Sequence, residues 1–349
     1  MVSWSLEHDL DNVITACQPV WPAVRDGHLF ITGGTGFIGC WLLESLRHAN
    51  RELGLGIRAT ILTRSINDFR RKAPHLADCG QFQFIEGGIA DFRFPDDQFT
   101  HIIHAATDAS AQLNECDPRK MFSTIVDGTR HVLDFAVEAG IPRVLFLSSG
   151  AVYGQQPWEL TRVPESWLGG PNCVDPKATY AEAKRAAEML CAIYCKQHGI
   201  EVAIARIFAL LGPYLTLDIH FAAGNFIRDA IAGKTVVVNG NGQPCRSYLY
   251  AADLAVWLLH MLIRAPSCRP YNVGSDESIS IRELAQLVAA TLGNGQCRIL
   301  GQADAGWNPG RYVPDTQLIE AELGLKRTVS LQNAILRTAL WNGWKGDQE

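Results

Sequence analysis

The ten residues Phe30 to Gly39, FITGGTGFIG, constrain the fold of this chain more than any other stretch. The apolar run from His28 to Ile31 reads as a short buried strand. It breaks into a glycine-rich turn, after which Phe37, Ile38, Trp41, Leu42, Leu43 and Leu46 recur at helical spacing. Strand, glycine turn and helix form the setting in which a glycine motif cradles a dinucleotide. Gly33 permits the tight turn, Gly36 lets backbone N–H groups approach a pyrophosphate, and Gly39 lets helix and strand pack closely. The helix N-terminus adds unpaired N–H groups and a partial positive charge.

The rest of the chain agrees with an α/β reading. From Ile57 to Leu62, Phe82 to Ile85, His101 to Ala106 and Arg143 to Leu147, short apolar runs predict further strands. Helical patterns such as Met121 to Gly140 separate them, so a doubly wound parallel sheet is expected. The second strand ends in Thr63-Arg64-Ser65, where an acidic residue would hydrogen-bond the adenosine ribose of NAD. A guanidinium there can pair with a 2′-phosphate, so the cofactor expectation is NAD(P), with NADP favoured over NAD. The alternative is that Arg64 is an ordinary surface residue. His104 is expected to be structural.

Ser149 closes the fifth strand, and Tyr180 and Lys184 sit four apart on a helix running to about Gly199. That spacing puts both side chains on one helical face. An ammonium beside a phenol would favour phenolate and lower the tyrosine pKa, giving a proton acceptor near neutral pH. Ser149 could share the proton of a substrate hydroxyl with Tyr180.

With 349 residues, 47% apolar and 19% charged, the chain can bury a large core. Its organisation is expected to be residues 1–26 as a helical extension serving as lid or brace, 27–205 mainly as the dinucleotide-binding domain, and 206–349 mainly as a smaller, discontinuous C-terminal substrate lobe, with some segments returning to the first domain. A net charge of −5 without a long basic run argues against nucleic acid. The ten cysteines form no CxxC pair, which predicts reduced thiols, no metal site and a cytoplasmic protein. No apolar run reaches the roughly 18 residues of a membrane span.

Taken together, TGGTGFIG (32–39), HAA (104–106), SSGAVYG (148–154) and YAEAK (180–184) resemble, in order, the motifs of the extended short-chain dehydrogenase/reductase superfamily, in its nucleotide-sugar epimerase/dehydratase branch. The resemblance runs from about residue 28 to 345. It implies a Rossmann-like fold, with cofactor contacts from Gly33, Thr35, Gly36, Phe37, Ile38, Gly39, Thr63, Arg64, Ile89, Ala105, Ala106, Tyr180 and Lys184. It makes Ser149, Tyr180 and Lys184 the catalytic set. A nucleotide diphosphate sugar would meet Thr107, Ser149 and Asn225, and two arginines, Arg246 and Arg311, would bind its diphosphate. Relatives commonly pair through the two helices beginning near Met121 and Tyr180, so a homodimer is expected.

Departures from the family pattern narrow the chemistry. Dehydratases carry an Asp-Glu pair just after the catalytic hydroxyl, and decarboxylases a Glu two places after it; here those places are Gly150 and Ala151. Two asparagines usual in the family are Ile125 and Ala209 here. The leading expectation is a nucleotide-sugar 4-epimerase used in polysaccharide biosynthesis. The alternatives are an NADPH-dependent 4-keto-sugar reductase and a non-catalytic dinucleotide-binding regulator. Asp108, after the HAA segment, is the nearest carboxylate in sequence that could reach in from a loop.

Overall fold

A computed structural model describes residues 4–107, 111–218, 222–293, 295–302 and 310–346. Seven parallel strands form the central sheet: β1 (His28–Thr32), β2 (Arg58–Thr63), β3 (Phe82–Glu86), β4 (His101–His104), β5 (Arg143–Ser149), β6 (Glu201–Ile207) and β7 (Pro270–Val273). Their order is β7-β6-β5-β4-β1-β2-β3, so the connections diverge between β1 and β4. In an open parallel sheet that point opens a crevice at the strand ends.

Alternation along the strands explains both layers. Leu29, Ile31, Ile103, Leu145, Leu147, Ala203 and Ala205 face one core, which includes the helices Phe37–Leu53 and Ala251–Arg264. Phe30, Ile102, Val144, Phe146, Val202 and Ile204 face the other, with Ile125, Val132, Phe135, Ala183 and Ala187 from the helices Pro118–Glu138 and Thr179–His198. Strands buried on both faces read as continuous apolar runs, which is why the sequence located them.

Two boundaries differ from expectation. The fourth strand stops at His104, because the chain then peels away over the glycine turn: Ala105 N–H donates to Thr32 O and Ala106 N–H to Thr32 Oγ1, both at 3.1 Å. The helix expected from Met121 begins at Pro118, with Asp117 capping it by accepting from Lys120 N–H at 3.0 Å.

The N-terminal helix packs on the body of the fold. Helix Leu6–Ala16 buries Asp9, Leu10, Val13 and Ile14 and packs against the helices Phe37–Leu53 and Ala251–Arg264. Asp9 is 1% exposed, accepts from Tyr250 Oη at 2.5 Å and Trp4 Nε1 at 3.0 Å, and pairs with Arg337 near the C-terminus.

Beyond β6, short strands pair in small sheets apart from the central one. Val236–Val238 pairs in parallel with Cys297–Ile299. Cys245–Arg246 pairs with Ile279–Ser280 on one side and Arg311–Tyr312 on the other, and Tyr312 lies opposite Arg246. Pro270–Val273 returns to the central sheet as its edge strand. All ten cysteines are free thiols. Among the described residues no cluster of three or more His, Cys, Asp or Glu could hold a metal ion, and no helix is long and apolar enough to cross a membrane.

Candidate active site

The glycine turn is shaped by backbone contact. Gly33 has φ +71°, and a Cβ there would lie 2.6 Å from the backbone of Ala105 and Ala106. A Cβ on Gly39 would lie 2.4 Å from Gly34, so only glycine lets helix Phe37–Leu53 start this close to the turn. Gly36 is exposed, and a Cβ on it would meet nothing within 4 Å except Gly33 O. Thr35, Phe37 and Ile38 are half-buried around it. This open-sided turn at a helix N-terminus fits a dinucleotide pyrophosphate. Lys72, which sequence reasoning passed over, braces it by donating from Nζ to Thr35 O at 3.0 Å.

At the end of β2, Thr63 is buried and Arg64 is exposed. Ile89, after β3, packs against Gly128 of helix Pro118–Glu138. His104 bonds Thr32 Oγ1 through Nδ1 at 2.8 Å and Thr129 Oγ1 through Nε2 at 3.1 Å. Burial holds its pKa down at about 3, so it is a neutral structural group.

Ser149, Tyr180 and Lys184 do converge at the end of β5. Ser149 Oγ accepts from Ala151 N–H at 3.1 Å and lies beside the Tyr180 hydroxyl, whose pKa it lowers. Lys184 is 2% exposed, donates from Nζ to Leu147 O at 2.7 Å and lies 5.0 Å over the Phe146 ring. Burial lowers its pKa to about 8. One of its three N–H groups is used by Leu147, and a cofactor ribose fits the remaining capacity. The expected lowering of the Tyr180 pKa by Lys184 needs correction. Burial raises the Tyr180 phenol above its ordinary value, and the opposing, lowering contribution comes from Ser149.

Sequence reasoning missed Tyr312 as a member of this cluster. Its hydroxyl donates to Ile207 O at 3.4 Å, Ser149 beside it opposes the burial that raises its pKa, and its ring centre lies 4.5 Å from that of Phe208. It missed too the polar network behind the site. Glu188 accepts from Ser148 Oγ at 2.5 Å and Arg206 Nη2 at 2.7 Å; Arg206 donates to Tyr153 Oη at 2.9 Å, and Tyr153 donates to Asn272 Oδ1 at 2.8 Å. Each partner is remote in sequence, so no local spacing announces the set.

The two positions after Ser149 offer no proton carrier. A Cβ on Gly150 would lie 2.5 Å from Phe208 Cζ, so an aromatic ring fills the space beside it. Ile125, at one of the usual asparagine positions, is spent on the core. Asp108 lies outside the described residues, and Thr107, next to it, is exposed at the end of the His-Ala-Ala segment.

On the far side of the crevice, Asn225 lines a cavity of about 630 Å³ together with Arg228, Val238, Asn239, Asn241 and Pro244. Pro244 leads directly into the strand carrying Arg246, and Arg311 is on the neighbouring strand. Arg246 donates from Nη1 to Cys245 O at 2.8 Å. Arg311 Nε is buried and has no hydrogen-bond partner among the described residues.

Known proteins resemble this chain in sequence and fold. The NAD dependent epimerase/dehydratase family model matches residues 29–274. UDP-glucuronic acid decarboxylase 1 of Xenopus tropicalis is 30% identical over 310 residues, covering 89% of this chain and 70% of that one. The dTDP-glucose 4,6-dehydratase of Streptomyces venezuelae, solved with NAD and TYD bound, superposes with a TM-score of 0.75 at 26% identity, covering 90% and 96% of the two chains. The UDP-glucose 4-epimerase of Thermotoga maritima, solved with UDP-glucose, shares the fold with a TM-score of 0.77 at 20% identity, covering 90% and 98%. The chain with this glycine turn and Ser149-Tyr180-Lys184 cluster thus belongs to the NAD-dependent epimerase/dehydratase family of enzymes.

Proposed function

We propose that this chain is a nucleotide-sugar 4-epimerase that acts by transient oxidation at carbon 4. One observation carries the reading: the Ser149-Tyr180-Lys184 set is assembled, whereas Gly150 and Ala151 carry no titratable atom and Phe208 blocks the space beside Gly150. Relatives named for decarboxylation and dehydration match it broadly. Their reactions need an additional acid or base, and the resemblance locates that group where this chain has none.

A dinucleotide bound in the glycine turn supplies hydride acceptance and return at carbon 4. Tyr180 takes the proton of the 4-hydroxyl and gives it back, and Ser149 holds that oxygen. Lys184 anchors the nicotinamide ribose. Arg246 and Arg311 meet the diphosphate, and Asn225 with the cavity beside it receives the nucleoside. The test is interconversion: wild-type protein with NAD should equilibrate one pair of 4-epimeric UDP- or dTDP-hexoses. Turnover of none of the pairs would overturn the reading.

The exposed Arg64 at the end of β2 favours a second reading, an NADPH-dependent 4-keto-sugar reductase. If Arg64 pairs with a 2′-phosphate, Arg64→Ala should weaken NADP binding about ten- to hundredfold and leave NAD nearly unchanged. Equal effects on both cofactors would remove the support for NADP.

A further inference from the structure

Arg311 is held on a scaffold that the diphosphate reading does not require. Its guanidinium carbon lies 4.3 Å from the centre of the Trp158 indole. Its backbone bridges antiparallel to Gln156, which is 2% exposed and fixed at both ends. Gln156 Nε2 donates to Leu160 O at 2.6 Å, and Gln156 Oε1 accepts from Val313 N–H at 3.0 Å. Val163 N–H also donates to Val313 O at 2.9 Å, and Asp315 N–H to Val163 O at the same distance. The segment bearing Trp158 is therefore fastened to the strand bearing Arg311 on both sides of the stacked pair.

Trp158 itself is 39% exposed, so core packing does not account for its place. A guanidinium carries its N–H donors in plane and offers its faces for stacking. A guanidinium resting on an indole by a face keeps its donor edge for other partners. Arg311 Nε is buried without an acceptor among the described residues, a costly state for a cationic donor.

We propose that Trp158 is a positioning residue for Arg311, holding the guanidinium so that its donor edge meets the diphosphate of the nucleotide substrate. This rests on the reading of Arg311 as a diphosphate ligand. Lys72 and the glycine turn, on the cofactor side, take no part, so the effect falls on substrate affinity and not on the dinucleotide.

The experiment is titration calorimetry of UDP and of dTDP against the full-length chain saturated with NAD. The proteins are wild type, Trp158→Ala, Trp158→Phe, Arg311→Ala and the double variant Trp158→Ala/Arg311→Ala. Loss of the stack should weaken the better-bound nucleotide about 3- to 30-fold, Trp158→Phe should retain most of the affinity, and NAD affinity should not move. The double variant should bind no more weakly than Arg311→Ala alone, since Trp158 acts through Arg311. Weakening by Arg311→Ala with none from Trp158→Ala would overturn the positioning role and leave the diphosphate reading standing. A further full loss in the double variant would show Trp158 acting directly on the nucleotide, and also overturn it. No effect from Arg311→Ala would remove the diphosphate reading, and this inference with it. If the alanine variant fails to fold, Trp158→Leu, which keeps apolar bulk without an aromatic face, takes its place with the same expected loss.

Discussion

Ser149 has one hydroxyl proton and faces two phenols, Tyr180 and Tyr312. When it donates to Tyr180 it stabilises the phenolate against the burial that raises that group. Ser149→Ala removes the lowering contribution and leaves the raising one. The rate limb governed by the Tyr180 base should therefore move to higher pH, and turnover at neutral pH should fall about 10²–10³-fold, as when one donor to a reacting oxygen is removed. A pH–rate profile of kcat/KM checks this, and a limb that stays in place would contradict it. At this scale the sequence was informative where chemistry depends on local spacing. Tyr180 and Lys184 are one helical turn apart, and the glycines announce their own turn. Tyr312 and Phe208 were not legible as neighbours of Ser149, because their contacts depend on how separate strands register. The direction of the Tyr180 shift was also out of reach, since it depends on burial and on where the Lys184 ammonium points.

Among the elements, the N-terminal helix shows how a polar residue can tie remote segments together. Asp9 joins helix Leu6–Ala16 to Tyr250 and to Arg337 on helix Leu331–Trp341. Removing the carboxylate leaves a largely buried guanidinium and a buried phenol without their acceptor. Asp9→Ala should cost roughly 3 kcal/mol and lower the melting temperature by several degrees. Asp9→Asn, which can still accept a hydrogen bond, should cost less. Melting of Asp9→Ala with the wild type would contradict the brace. Four of the five expected strands were legible as mainly apolar runs buried on both faces, and the remaining one, Phe82–Glu86, is the edge strand, with Gln83 and Glu86 exposed. The strands Cys245–Arg246, Ile279–Ser280 and Arg311–Tyr312 have two residues each, too few to show any period, and they emerge only from their pairing.

For the molecule as a whole, the paired helices Pro118–Glu138 and Thr179–His198 bear on assembly. Ile125, Val132 and Leu133 are buried in the chain's own core. Phe122, Met189 and Ile193 are the exposed apolar residues on these helices, at 41%, 63% and 38%. We propose that they meet a second copy in a homodimer. Light scattering at micromolar concentration should give twice the chain mass, and Met189→Glu should shift it toward the monomer. A monomeric wild type would rule the pairing out.

The central claim is that this site oxidises and reduces carbon 4 and carries out no elimination or decarboxylation. Mass spectrometry of the products tests it most directly, with UDP-glucose, dTDP-glucose and UDP-glucuronic acid each supplied to wild-type protein and to Tyr180→Phe in the presence of NAD. The account predicts at least one product of unchanged mass that is resolved from its substrate by chromatography, formed by wild type and reduced about 10²–10⁴-fold by Tyr180→Phe. A wild-type product lighter by one water or by one carbon dioxide would contradict it.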